Sequence, residues 1–300
     1  MRRLTVMCCL TAVTQIANAQ QQSMLVMQGP PGGEIGQYDL DGNFMGDFVP
    51  PRVFASPQYA AQAPDGTFYV SSFTQNRVSR FDSNGNLLGD VVPNDGRIIG
   101  NTFLTIRDDE LIVSGSNNGA IGVFDLETGD YLRNLVEPGI IQGAHTVYWL
   151  DSGDMLISDI GSNTIRRFGP DGSYIGDFSD NPVLAQPAGI ELSPDGDSVY
   201  VANFTDGIVH EFELATGALV GELLRAGGNA DDLTYGPDGD LYIASYGDSA
   251  IYRYDFETQA AEVHIGSGLR GPNSILFIPA PGGATYALFG VSSLLVRRRR

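Results

Sequence analysis

A repeat of about 43 residues runs through most of the sequence and predicts an all-β fold. Each copy contains short apolar runs between glycine turns, and no long helical periodicity interrupts them. Each copy is also marked by an aromatic residue, usually followed by an acid, and the marks recur 42 to 44 residues apart at Tyr38-Asp39, Phe81-Asp82, Phe124-Asp125, Phe168-Gly169, Phe212-Glu213 and Tyr254-Asp255. This period is typical of one propeller blade. Six marks therefore predict a six-bladed β-propeller of four-stranded antiparallel blades.

The four strands of each copy have different patterns. The first is mostly apolar and leads into a tight turn such as Asp195-Gly196, where glycine supplies the positive φ that a short hairpin needs. The second is an almost continuous apolar run, as expected for a strand covered on both faces. The third ends in the aromatic-acid mark. The fourth follows another glycine turn, which is missing only at Thr258-Gln259.

The two ends of the repeat region read as half-blades. Residues 24–49 supply three strands without a first one, and Asn273 to Ile278 supply a first strand without successors. We expect the N-terminal strands to pair with this C-terminal strand and close the ring, because closure removes two open sheet edges. The predicted organisation is a signal peptide at 1–19, the propeller at 20–278 and a sorting tail at 279–300.

Residues 1–19 have the three parts of a secretory signal peptide: a positive start, a short apolar stretch and the small-x-small site Ala17-Asn18-Ala19. Cleavage is expected after Ala19, and the protein is expected to be exported. Both cysteines, Cys8 and Cys9, lie in the apolar stretch. The mature chain would therefore have no disulfide, no thiol catalysis and no cysteine-bound metal.

The last 22 residues are a short proline motif, an apolar segment and an arginine cluster; the motif and cluster residues are Pro279, Ala280, Pro281, Arg297, Arg298, Arg299 and Arg300. The apolar segment is shorter than the roughly 20 residues that span a bilayer. This order resembles the PEP-CTERM sorting signal of bacterial exosortase substrates, although alanine stands where the family name has glutamate. The resemblance implies an exosortase-type processing enzyme, transient membrane contact through the tail only, and delivery to the cell surface or extracellular matrix.

The charge of the chain argues against nucleic acid as a partner. All 17 basic residues are arginine, and six of them lie in the two terminal segments. Because all 36 acids lie between those segments, the mature body has a formal charge of −25. Such an acidic protein repels phosphate backbones and anionic lipid surfaces.

The connections between blades are longer and more variable than the tight turns, and they lie on the opposite face of a propeller. Variable loops on a rigid frame commonly carry function. The residues that enter the first strands from this loop face align as Gln58, Thr102, His145, Ala188, Asp231 and Asn273. Those that leave the second strands toward it align as Gln28, Ser72, Gly115, Asp159, Asn203 and Ser245.

Oxygen-bearing side chains in these two sets predict a cation site at the channel mouth; the candidates are Asp159, Asn203, Asp231 and Asn273. Carboxylate and amide oxygens suit Ca²⁺ or Mg²⁺. The alternative is a solvated polar rim without an ion, since no ligand spacing in the chain is diagnostic.

His145 is the only histidine that the alignment places at this rim. It is a candidate general acid or base, and the alternative is a histidine that is simply hydrogen-bonded in a polar channel. His210 and His264 fall on outer strands and are expected at the surface. Trp149 follows an apolar run in a first strand and is expected in the core rather than in a ligand site.

The repeat Pro-Asp-Gly-x-(Leu/Val)-Tyr-(Val/Ile)-Ala, followed by a polar loop and an (Ile/Val)-x-x-(Phe/Tyr)-Asp strand, resembles NHL-type repeats over residues 24–279. Related propellers include gluconolactonase-like metal-dependent lactonases and streptogramin lyases. For a lactonase, the resemblance implies a divalent ion held by Glu, Asn and Asp side chains. By their positions in the blades, the four candidates above could be such ligands, but no glutamate occupies either aligned set. For a lyase it implies a histidine near the mouth, where only His145 matches.

These observations predict an exported propeller that acts as a binding or scaffold module for an extracellular polysaccharide or protein. The alternative is a divalent-metal-dependent lactonase or lyase acting at the channel mouth. A structural matrix protein is a third hypothesis, and it would require self-association.

Overall fold

The computed structural model describes residues 22–137 and 139–278. All regular secondary structure in these residues is β, in six four-stranded antiparallel sheets. The described residues include no helix that is long and apolar enough to cross a membrane. The predicted signal peptide, with Cys8 and Cys9, and the predicted sorting tail at 279–300 lie outside the described residues.

The strands are numbered in chain order and grouped into blades 1 to 6. Blade 1 contains β24 (Pro272–Ile278), β1 (Ser23–Gln28), β2 (Ile35–Asp39) and β3 (Phe44–Val49). Blade 2 contains β4 (Pro57–Gln62), β5 (Phe68–Ser72), β6 (Arg77–Phe81) and β7 (Leu87–Val92). Blade 3 contains β8 (Asn101–Arg107), β9 (Glu110–Gly115), β10 (Ile121–Asp125) and β11 (Tyr131–Asn134). Blade 4 contains β12 (Ala144–Trp149), β13 (Met155–Asp159), β14 (Thr164–Phe168) and β15 (Tyr174–Ser179). Blade 5 contains β16 (Pro187–Leu192), β17 (Ser198–Asn203), β18 (Ile208–Glu213) and β19 (Leu219–Arg225). Blade 6 contains β20 (Ala230–Tyr235), β21 (Leu241–Ser245), β22 (Ala250–Asp255) and β23 (Ala260–Ile265).

The first strands of the blades form the inner wall of the ring. Each contacts the first strands of both neighbouring blades, in the order β24, β4, β8, β12, β16 and β20, and β20 contacts β24 again. The fourth strands lie on the outside and begin with exposed apolar residues such as Leu87 and Leu88. The predicted all-β six-bladed propeller is confirmed.

Blade 1 joins the two ends of the described chain. Strand β24 pairs antiparallel with β1, so that Leu25 faces Leu276 and Val26 faces Ile275. The C-terminal strand is thus the inner strand of a blade whose other three strands come from the N-terminal end.

The core lies between blades rather than within one sheet. The described residues form six buried apolar clusters, and each combines side chains from two adjacent blades. The aromatic residues of the repeat mark belong to these clusters and are almost completely buried, as at Phe81, Phe168 and Phe212. Each second strand has an almost continuous apolar run because the adjacent blades cover it on both faces.

The predicted surface position of two histidines is wrong for His210. This residue is 3% exposed, because β18 is covered on both faces from Ile208 to His210. Burial lowers its pKa. His264 is partly buried, and its ring lies edge-on to that of Tyr242 with 5.1 Å between the ring centroids.

Candidate functional site

A cavity of about 380 Å³ opens at the loop face of the ring; we call it the loop-face cavity. All six residues predicted to enter the first strands line it, namely Gln58, Thr102, His145, Ala188, Asp231 and Asn273. They form its floor because each inner strand begins there. Except for the methyl group of Ala188, the floor is polar.

The wall of the loop-face cavity comes from the residues that immediately follow the second strands. Three of them are aromatic, Phe73, Phe204 and Tyr246, and we call these three the aromatic collar. The ring centroids of Phe204 and Tyr246 are 6.1 Å apart. Tyr246 leans over the backbone of blade 1, where a Cβ on Gly29 would come within 2.9 Å of its ring. Glycine at this position therefore permits the close approach.

The residues that leave the second strands do not line this cavity; the side chains of several of them anchor the loops between blades. Asn203 donates from Nδ2 to the carbonyl oxygen of Val183 at 2.7 Å and accepts from the amide of Ala185 at 3.1 Å. Ser245 donates to the carbonyl oxygen of Ala226 at 2.6 Å. The same aligned position is thus used in several blades to fix the preceding loop.

Asp159 is the most completely anchored of these residues. Its carboxylate accepts hydrogen bonds from the amides of Gly143 at 2.8 Å and Gln142 at 3.1 Å, and from Nε of Arg166 at 2.9 Å. Burial on its own would raise the pKa of Asp159, but the Arg166 and backbone hydrogen bonds outweigh it and lower the pKa below its ordinary value. Both carboxylate oxygens of Asp159 thus accept hydrogen bonds from groups of the protein itself.

The four residues predicted as metal ligands therefore divide into two pairs. Asp231 and Asn273 lie together at the floor of the loop-face cavity, whereas Asp159 and Asn203 hold loops. Asn273 also donates from Nδ2 to the carbonyl oxygen of Pro57 at 2.7 Å. Within residues 22–137 and 139–278, no group of three or more His, Cys, Asp or Glu side chains is arranged to hold a metal ion.

His145 reaches across the channel to Asp231. Its Nε2 lies 3.1 Å from Oδ1 of Asp231, and both side chains are about 5% exposed. Its Nδ1 lies 3.3 Å from Oγ1 of Thr146. Because the partners belong to blades 4 and 6, the contact spans the first strand of blade 5. A buried carboxylate beside an imidazole fixes the orientation of that ring.

A second cross-channel contact lies just below the first. The hydroxyl of Tyr59 in blade 2 donates to Oδ1 of Asp232 in blade 6 at 2.9 Å, and Oδ2 of Asp232 accepts the amide of Ile275 at 3.2 Å. Burial raises the pKa of Asp232 to about 7. The rings of Tyr59 and His145 meet edge-on with their centroids 6.0 Å apart. These residues, which we call the channel partition, divide the channel in two.

Beyond the partition a cavity of about 420 Å³ opens toward the tight turns; we call it the turn-face cavity. The side chains of Tyr148, Trp149, Glu191 and Tyr235 line it. Trp149 is partly buried and packs against the cluster between blades 3 and 4, so the expected core position is only half correct. Burial and the nearby Asp232 raise the pKa of Glu191 to about 8.

Sequence reasoning did not find the turn-face cavity, although the repeat contains a signal for it. The residue three positions after each floor residue lies at the other end of the same inner strand. These aligned residues are Ala61, Thr105, Tyr148, Glu191, Thr234 and Leu276. Glu191 is the only charged member of this set. One charged residue in an otherwise uncharged set that faces a channel indicates a candidate ligand site there.

Neither a protein-family model nor a curated protein sequence matches the chain. Similar solved structures include a nidogen–laminin complex, with 12% identity, a TM-score of 0.69 and coverage of 85% of this chain and 98% of that chain. Virginiamycin B lyase from Staphylococcus aureus is 15% identical, with a TM-score of 0.57 and coverage of 79% and 78%. A 6-phosphogluconolactonase-like protein from Bacteroides fragilis is 18% identical, with a TM-score of 0.59 and coverage of 88% and 99%. At these identities the similarity supports the six-bladed propeller fold.

Proposed function

We propose that this chain is an exported, surface-sorted propeller that binds an extracellular polysaccharide in the loop-face cavity. The observation that carries the proposal is an aromatic collar standing above a polar floor in one cavity of about 380 Å³. Pyranose rings have apolar C–H faces and polar hydroxyl edges. They therefore fit a site where flat rings alternate with hydrogen-bonding groups.

The charge of the mature body narrows the class of polysaccharide. With a formal charge of −25 between the terminal segments, the protein repels acidic polysaccharides at low ionic strength. Asp231 adds a carboxyl group to the floor itself. A neutral or amine-bearing polysaccharide is the matching partner.

The export part of the proposal rests on the terminal sequences. Residues 1–19 carry the features of a signal peptide, and 279–300 carry those of a sorting tail that an exosortase-type enzyme would process. Replacing Arg297, Arg298, Arg299 and Arg300 by alanine should retain the protein in the cells and remove it from the surface fraction. Equal surface delivery of both forms would contradict the sorting role.

Binding is tested on the purified full chain with an array of bacterial oligosaccharides, followed by calorimetry with the strongest binder. Tyr246→Ala and Phe204→Ala should each weaken binding about tenfold, because each removes a stacking surface. Phe44→Ala is the matched control, since Phe44 is 58% exposed on an outer strand away from both cavities. If no oligosaccharide binds, or if the two collar variants bind as well as the control, the proposed ligand class is wrong.

A second candidate function is a lyase or lactonase reaction at His145. It is favoured by the buried contact between His145 and Asp231 at the floor of the cavity. Among similar structures are virginiamycin B lyase, a catalytically inactive histidine variant of that lyase with quinupristin, and the 6-phosphogluconolactonase-like protein. Turnover of a cyclic depsipeptide or a sugar lactone that His145→Ala abolishes would favour this function over simple binding.

The cation part of this second function has its own test. Asp231 and Asn273 would supply oxygen ligands to Ca²⁺ or Mg²⁺ at the floor. An ion that binds the native state raises the melting temperature by mass action. A rise with added Ca²⁺ that Asp231→Asn removes would support the site, and equal melting in EDTA and in Ca²⁺ would exclude it.

A further inference from the structure

The turn-face cavity is separate from the site proposed above. It shares no lining residue with the loop-face cavity, and the channel partition lies between them. Its volume of about 420 Å³ is in the range of small-molecule sites. An inference about it therefore stands or falls independently of the polysaccharide proposal.

Aromatic rings make up much of its wall. Tyr148 and Trp149 come from β12, and Tyr235 comes from β20. The faces of such rings carry partial negative charge and attract cations within about 6 Å of the centroid. One such contact is already present, because the guanidinium carbon of Arg107 lies 4.7 Å from the centroid of the Trp149 ring.

The charges around the cavity are mostly negative. Asp151, Glu191 and Asp232 line it, and Arg107 is the one basic residue among the described residues that do so. Burial and then the nearby charge of Asp232 raise the pKa of Glu191, so an ionised pair is disfavoured here. When these carboxyl groups ionise, Arg107 alone cannot balance all three of them.

We propose that the turn-face cavity is a second ligand site, which binds a small organic cation such as a quaternary ammonium group with Glu191 as its counter-ion. The rings of Tyr148 and Tyr235 contact the apolar surface of the cation, and Glu191 supplies the charge. An anion would meet three carboxyl groups here. A neutral ligand would gain no electrostatic attraction from Glu191, whereas a cation favours its ionised form, so a cation fits this cavity best.

Binding should depend on pH through the ionisation of Glu191. Its pKa of about 8 in the free protein means that it is largely protonated at neutral pH, and only the carboxylate attracts a cation. The other titratable or charged groups that line the cavity are Tyr59, Arg107, Tyr148, Asp151, Asp232 and Tyr235. The three tyrosines have raised pKa values and stay neutral, and Asp232, with a pKa of about 7, ionises in the same direction as Glu191. Affinity for a permanent cation should therefore rise from about pH 6 to about pH 9.

Trp149 provides a direct readout, because it is the only tryptophan in the chain and lies in the cavity wall. The experiment titrates the full chain with choline while following tryptophan fluorescence. A neutral isostere, in which a tert-butyl group replaces the trimethylammonium group, is titrated in parallel. We expect a saturable change with choline, at least about tenfold weaker binding of the isostere, and tighter choline binding at higher pH.

Glu191→Gln keeps the shape of the side chain and removes its charge. At about pH 9, where Glu191 is mostly ionised, this variant should weaken choline binding about tenfold, and it should abolish the pH dependence that Glu191 causes. Glu257→Gln is the matched control, because Glu257 is exposed in the turn before β23 and lines neither cavity. Equal binding of the isostere, or unchanged binding by Glu191→Gln, would overturn the proposal. Phe204→Ala should leave choline binding unchanged, which separates this result from the polysaccharide test.

Discussion

Carboxyl groups of this protein occupy two opposite electrostatic environments. The acids of the repeat mark shape turns: Oδ1 of Asp82 accepts the amides of Asn84 at 2.8 Å and Asn86 at 2.9 Å, and a side-chain hydrogen bond from Asn86 is the largest contribution lowering its pKa. Glu191 lies in the channel, where burial raises its pKa. The turn acids therefore stabilise the fold when they are ionised, whereas Glu191 stabilises it when it is protonated.

Glu191→Gln should therefore change how stability depends on pH. Because the folded-state pKa is raised from 4.5 to about 8, the contribution of Glu191 is fully present below the lower value and is lost as pH rises through the higher one. Between about pH 5 and pH 9, the free energy of unfolding should fall more for the wild type than for Glu191→Gln. Urea unfolding of both proteins at several pH values measures this difference in the free energy of unfolding. Parallel curves for the two proteins would show that the carboxyl group of Glu191 is hydrated in the folded protein.

Asp159 and Asp177 offer a matched pair, since both accept from the same arginine. Asp159 is fully buried, whereas Asp177 is 39% exposed and lies 3.1 Å from Nη1 of Arg166. Asp159→Ala should cost about 3 kcal/mol, because it leaves Arg166 and two loop amides without their buried acceptor. Asp177→Ala should cost less than about 1 kcal/mol.

Denaturant unfolding of the two variants, with and without Ca²⁺, checks this comparison. The loss in Asp159→Ala should be the same in EDTA and in Ca²⁺, since the role assigned to Asp159 is loop anchoring. A loss that appears only when Ca²⁺ is present would instead return Asp159 to the list of metal ligands.

At the scale of elements, the turns between third and fourth strands combine backbone conformation with packing between blades. Gly85 has a φ of +76°, and a Cβ built on it would lie 1.8 Å from the carbonyl oxygen of Phe48 in the preceding blade. The one turn without glycine follows the same path, because Gln259 has a φ of +54°. This position of the turn thus has a left-handed backbone conformation even in the blade where it is not glycine.

Three substitutions separate conformation from packing: two lie in these turns, at Gly85 and Gln259, and one lies at Gly66 in the turn between β4 and β5. Gly66→Ala should cost about 1 kcal/mol, because Gly66 has a φ of +85° but nothing lies within 4 Å of its built Cβ. Gly85→Ala should cost at least about twice as much, since it adds the clash with Phe48. Gln259→Gly should raise stability by less than about 1 kcal/mol. Thermal melting ranks the three, and equal losses at Gly66 and Gly85 would contradict the packing role.

Elements of this fold could be predicted because their signals are local. The Asp-Gly turns, the apolar second strands and the aromatic-acid marks each depend on a few neighbouring residues. The strands of blade 1 begin and end within one residue of the expected 24–49 and 273–278. Alignment of the blades also placed the floor of the loop-face cavity correctly. It does not give the direction of side chains, and for this reason it predicts Asp159 and Asn203 at a channel rim, whereas in the structure they hold loops.

At the scale of the whole molecule, the channel partition depends on distances that no local pattern contains. The Tyr59–Asp232 hydrogen bond joins residues 173 positions apart, and it exists only because six blades bring blade 2 near blade 6. His145 meets the neighbouring Asp231 for the same reason. Ring size therefore decides which side chains meet, and the two cavities are a property of the closed ring.

Closure itself rests on one strand pair. Strand β24 pairs with β1 from Ser23 to Gln28, and it also contacts the inner strands β4 and β20 on either side. Ser274 donates to the carbonyl oxygen of Gln58 in blade 2. Ile275 and Leu276 belong to two different clusters between blades. Removal of β24 would thus expose the edge of β1 and open two apolar interfaces at once.

A chain that ends at Arg270 should therefore lose cooperative melting, whereas a chain that ends at Ile278 should keep it. Both lack the C-terminal tail, so they differ only in Gly271 and the residues of β24. The shorter chain leaves sheet edges and apolar side chains in water, and a ring whose blades each depend on two neighbours has no independent part to retain. Calorimetry of the two chains, with urea unfolding as a second probe, measures the difference. A single sharp transition at the same temperature in both would show that blade 1 does not need its inner strand and that the ring is held closed by other contacts.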